Sequence, residues 1–138
     1  MTEAMQLRSQ AKKAWHGGDA VAAQELMERA WQAAEAAGDH AICARVAHSA
    51  ADLYQRLERP KETERYARQA IAHQRQTGEE DLFLGNCLLF LARLLADDER
   101  RAQALPLAED GVRIFARILG RDHQETAMAK LLWARCQP

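Results

Sequence analysis

Apolar residues return every three to four positions along almost the whole chain, the period of an amphipathic helix. Glycine, aspartate and proline cut the pattern into segments. A first helix is predicted from Glu3 to His16, with Leu7, Ala11 and Ala14 on one face. It ends at Gly17-Gly18, because glycine accepts the left-handed conformation at a helix C-terminus. Asp19 caps a second helix that runs to about Ala37 with Ala23, Leu26, Met27, Ala30 and Ala34 inward. Gly38 ends it and Asp39 caps a third, reaching about Glu58 on a stripe of Ile42, Val46, Ala50, Leu53, Tyr54 and Leu57. Pro60 suits the first turn of a fourth helix, where its missing N–H is not needed. That helix carries Tyr66, Ala67, Ala70 and Ile71 and stops at Thr77-Gly78. A fifth spans about Glu80 to Asp97. A sixth reaches Leu119 with Leu105, Ala108, Val112, Phe115 and Ile118 inward and Pro106 near its start. After Arg121-Asp122-His123 a seventh begins near Glu125.

The segments repeat. The helix-ending glycines Gly38, Gly78 and Gly120 are 40 and 42 residues apart. Small residues in alternate helices drift in step: Ala11, Ala51, Ala92 and Ala134 in one set, then Ala23, Thr63 and Ala104, and Ala30, Ala70 and Gly111. Close approach of paired helices requires small side chains at such points. Self-similarity at a fixed period marks a helical repeat array.

The stretch Ala104 to Arg135 holds an A-x-P-L segment, a helix ending L-G-x-D-H and an alanine in the next helix. In this it resembles the tetratricopeptide repeat, in the long form of kinesin light chains. Thr63 and Gly111 stand where that pattern has alanine, and Gln124 where it has proline. The resemblance implies an all-α solenoid of seven antiparallel helices that binds other proteins. A single domain over 1–138 is expected, with repeats at about 3–38, 39–78 and 79–120 and a C-terminal helix over 122–137.

Composition agrees. Alanine, leucine, arginine, glutamate and glutamine, all strong helix formers, dominate 138 residues, and aromatics make up 6%. A net charge of −1 provides no field for nucleic acid or a membrane surface. Cys43, Cys87 and Cys136 are odd in number, far apart and set among apolar residues, which predicts reduced thiols in a cytoplasmic protein rather than a disulfide framework. The first residues lack the apolar core of a signal peptide. The longest uncharged run, Leu82 to Ala92, is well short of the roughly 20 residues that span a bilayer.

Catalytic and metal chemistry find no constellation here. His40 and Cys43 share a helical face, but His48 lies roughly 140° away from Cys43 and a fourth ligand is missing. His48 and Ser49 are neighbours on a helix, so their side chains diverge. No nucleophile elbow, zinc-protease motif or phosphate-binding glycine loop occurs. The acidic runs Glu79-Glu80-Asp81 and Asp97-Asp98-Glu99 fall in turns, where helix N-termini favour them. No enzyme, cofactor or metal is expected.

The resemblance also implies a concave groove lined by the first helix of each pair. Carried over by repeat register, its partner-binding residues are Arg8, Lys12 and Trp15 from the first helix, and Arg45, His48, Ser49 and Asp52 from the third. Asn86, Leu89, Phe90 and Arg93 follow from the fifth, Leu131 and Arg135 from the seventh. Bases outnumber acids in this set, which suits an acidic or C-terminal peptide. The family's grip on chaperone tails needs asparagines where Lys12 and Ser49 stand and an arginine at Phe90, so that ligand is not expected. The fifth helix is apolar on all sides. Leu89 and Phe90 are therefore expected to form an exposed patch with Leu131 and Leu132, an anchor site or a surface for self-association. Two other functions fit the same features: a homodimerising adaptor, and a sensor domain for a peptide or small ligand in a regulatory system.

Overall fold

The computed structural model describes residues 1–138 as seven α-helices without a strand. They are α1 Glu3–His16, α2 Ala20–Ala37, α3 His40–Arg56, α4 Pro60–Gln76, α5 Leu82–Asp97, α6 Arg101–Leu119 and α7 Gln124–Arg135. The boundaries follow from local chemistry. Asp19 accepts the Ala22 N–H at 3.0 Å and Asp39 accepts that of Ile42 at 3.2 Å. Pro60 occupies the first turn of α4. The fifth helix starts two residues later than the periodicity predicts, because Asp81 serves as its cap and accepts the Leu84 N–H at 2.9 Å. His123 does the same for α7, its Nδ1 accepting the Glu125 N–H at 3.0 Å.

The chain divides into two compact units, Met1–Thr77 and Gly78–Pro138. In the first, α1 packs on α2 and α3 on α4, with α3 also touching α1 and α2. The turns between them are two or three residues long, which makes sequential helices antiparallel neighbours. The interior is built from alanine: Ala11, Ala23, Ala30, Ala44, Ala51 and Ala70 are all 1% exposed or less. Small side chains let helix backbones come close, and Val46, Leu53 and Ile71 fill the space between them. Tyr54 stacks on Tyr66 with ring centres 5.5 Å apart and donates its hydroxyl to Glu28 of α2 at 3.0 Å. Burial, and then that bond, push the phenol pKa well up.

In the second unit α5 and α6 form a hairpin, and α7 packs on both. Its core is larger-grained, with Leu88, Leu91, Leu95 and Ile114 fully buried and Phe115 beside them. Two glycines make room for bulky side chains in it. A Cβ on Gly85 would lie 2.8 Å from Cε1 of Phe115, and one on Gly111 would lie 2.6 Å from Cδ2 of Leu89. Ile118, predicted inward, is 41% exposed. Helix α6 has 19 residues against 16 in α5, so its last turn extends past its partner. All three cysteines are buried free thiols. No helix is long and apolar enough to cross a membrane.

Candidate functional site

The first unit brings together the basic residues of α1 and α3. Arg8 and Lys12 are one helical turn apart on α1, and Arg45, His48, Ser49 and Asp52 occupy successive turns of α3. The two helices touch, and Arg8 reaches across to donate its Nε–H to the buried Ser49 hydroxyl at 2.7 Å. That bond fixes a half-buried guanidinium beside Arg45. Burial, then the Arg45 charge, pull the Arg8 pKa below its usual value. Lys12 is lowered by burial and by Arg8, with Asp52 acting the other way. His48 is lowered chiefly by its own burial; Asp52 opposes that, while Lys12, Arg8 and Arg45 add to it. Each positive group therefore raises the cost of charging its neighbours. Asp52, which favours the charged forms of Lys12 and His48, is also paired with Arg56 at 3.2 Å.

Beside this cluster lies a cleft of about 190 Å³. Lys12, Trp15 and His16 wall it on α1, Ser49, Asp52 and Arg56 wall it on α3, and Met27 and Leu53 supply apolar surface. Met27 is the contributor that register alone does not place there, since it belongs to α2. Its place on the inward stripe of that helix was the available signal.

In the second unit the predicted residues do not form one surface. Leu89 is 7% exposed and lies against Gly111, and Leu132 is 4% exposed. The expected patch of Leu89, Phe90, Leu131 and Leu132 is thus corrected: two of its four members are core. The reason is the missing Cβ at Gly111, which opens a socket for Leu89. The glycine that interrupts the alanine series was the sequence signal for it. Phe90 is half-buried, while Asn86 and Arg93 are exposed. Arg135 donates to Asp97 at 2.7 Å, tying α7 to the end of α5. The exposed apolar surface is instead on α7, where Leu131 is 65% and Met128 56% exposed.

His40, Cys43 and His48, set aside above as a ligand set, point to different partners. Cys43 donates its S–H to the Ala34 carbonyl at 3.3 Å, and His40 faces His73 rather than His48.

Residues 84–125, from the start of α5 into α7, match the family model of the tetratricopeptide repeat. That stretch is a tetratricopeptide repeat. Among solved structures it is similar to a chain from Podosopora anserina described as kinesin light chain nearly identical TPR-like repeats. The TM-score is 0.78 and the identity 22%, covering 96% of this chain and 64% of that one. At that identity the likeness shows the fold, an all-α array of tetratricopeptide-like helical repeats. The chain spans less than two thirds of the length of that relative. No curated protein matches it. Tetratricopeptide repeats generally serve as protein–protein interaction modules.

Proposed function

We propose that the α1–α3 face of the first unit binds an acidic segment of a partner protein. The observation that carries this reading is the cluster of Arg8, Lys12 and Arg45 around buried Ser49, where burial and then the Arg45 charge lower the Arg8 pKa, and burial and then Arg8 lower that of Lys12. A ligand carboxylate placed there would relieve the mutual repulsion, and guanidinium groups recognise it with directed hydrogen bonds. The adjoining cleft, with Trp15 and Met27, gives room for one apolar side chain of the same segment. Buried free thiols fit a reducing compartment for the complex.

Fluorescence polarisation on the full chain tests this with a library of labelled peptides rich in Asp and Glu, each paired with its Asn and Gln counterpart. The acidic members should bind at least tenfold more tightly, and Lys12→Glu should abolish the difference. Equal affinity for acidic and neutral members would sink the reading.

A second reading rests on α7. Its exposed Met128 and Leu131 suit a self-association surface. Light scattering across a hundredfold concentration range decides it. A mass that rises with concentration and is returned to monomer by Leu131→Glu supports pairing; a constant monomer mass removes it.

A further inference from the structure

Outside the cleft, two histidines meet across the α3–α4 hairpin. His40 opens α3 directly after the Asp39 cap, and His73 sits in the last turn of α4. Their Nδ1 atoms are 2.9 Å apart. The ring centres are 5.1 Å apart, with the planes tilted by 37°. The centre separation exceeds the nitrogen separation by almost a full ring diameter. Both nitrogens therefore lie on the line joining the ring centres, and each directs its in-plane Nδ1 axis at the other.

That alignment separates two chemistries. A metal ion held by both rings would need the axes to meet at a point about 2 Å from each nitrogen. Collinear axes meet only between the nitrogens, and a gap of 2.9 Å is too short for an ion there. A proton fits: 2.9 Å is an ordinary hydrogen-bond length. One ring must then carry hydrogen on Nδ1 while the other offers a lone pair.

We propose that His40 and His73 share one proton as a latch, closing this end of the α3–α4 hairpin at neutral pH and releasing it on acidification. A further proton would occupy the accepting lone pair and set N–H against N–H between two positive rings. The charged groups around His73 are few. Glu35 on α2 favours its charged form, and His40 on α3 disfavours it. Asp39 stands next to His40 as the α3 cap. On the remaining side the edge of Trp31 from α2 packs against His73, with ring centres 5.8 Å apart. Burial first, and His40 second, lower the His73 pKa from its usual value. A lowered folded-state pKa gives stability that is complete above the unfolded value, about 6.5. It is lost as pH falls through the folded one. Because α3 also carries Arg45 and Ser49, the latch fixes the entry of the helix that bears half of the basic face.

Nitrogen-resolved NMR of the imidazoles in the full chain tests the shared proton directly. At pH 7.5, one of the two rings should carry its proton on Nδ1 and the other on Nε2. Thermal melts give the second arm. The loss in Tm between pH 7.5 and 5.5 should shrink by at least half in His40→Ala. The proposal requires both results. Two Nε2–H rings at neutral pH would overturn it, and so would an equal loss of Tm in wild type and His40→Ala.

Discussion

Three residues just past a first-of-pair helix take up the left-handed conformation. Gly18 has φ +86°, but Glu58 and Glu99 occupy the equivalent places with φ 58° and 61°. The spacings of 40 and 41 residues are those of the repeat itself, so the turn geometry recurs even where glycine does not. A residue with a Cβ pays about 1 kcal/mol or more in that region. Glycine removes the clash and returns part of the gain through its freer unfolded chain. Glu99→Gly should therefore raise stability by about 0.5–1 kcal/mol, seen as an increase of about 3 °C in Tm. The side chain is exposed, and its contact with Arg101 is 3.4 Å between solvated groups, so its loss costs little. A Tm that fell would show that the turn depends on the glutamate itself.

Packing between elements is decided where α5 crosses α6. Gly85 brings α5 so close to α6 that an added methyl would meet Phe115 Cε1 at 2.8 Å and Cδ1 at 3.1 Å, with Ile114 Cγ2 at 3.3 Å. Overpacking a core of this kind costs about 1–3 kcal/mol. Alanine's better helix propensity offsets up to about 1 kcal/mol of that. The expected net effect of Gly85→Ala is a loss of about 1 kcal/mol, read as a lower urea midpoint with unchanged slope. Adding Phe115→Leu should recover part of it, because the ring edge that clashes is gone. The two substitutions would then be less costly together than the sum of each alone. Strict additivity would place the cause of the loss elsewhere. The first unit lines its helix contacts with alanines, whereas the second sets a glycine on one helix against a bulky side chain on the other.

At the scale of the whole molecule, a net charge of −1 conceals a local imbalance. Acids concentrate at turns and helix starts, while Arg8, Lys12 and Arg45 gather on one face of the first unit. A ligand drawn by that face would feel it over about one Debye length, roughly 8 Å at physiological salt. Affinity for an acidic peptide should therefore fall several-fold when salt is raised from 50 to 300 mM, mainly through a slower association rate. Pairing through the apolar surface of α7 should not weaken under the same change. Acidic-peptide affinity that is flat in salt would argue against recognition by charge.

The helices, their caps and the repeat were legible in the sequence because they rest on local chemistry. A 3.6-residue period, an aspartate before each of several helices and a proline at the start of α4 act within a few neighbouring residues. The all-α class and the register of alanines follow from the same signals. The candidate site was half legible. Register put Arg8 and Ser49 on facing helices, but only tertiary packing joined them at 2.7 Å and brought Met27 of α2 to the cleft. Leu89 shows the limit most clearly. Its exposure depended on whether α6 offered a side chain or a void, and the absent Cβ of Gly111, 22 residues further on, made it core. His40 and His73 met for the same reason: residues 33 apart in sequence touch only when a hairpin closes. Sequence period fixes which face of a helix turns inward. What that face meets depends on the side-chain volume of another element, which only the folded chain supplies.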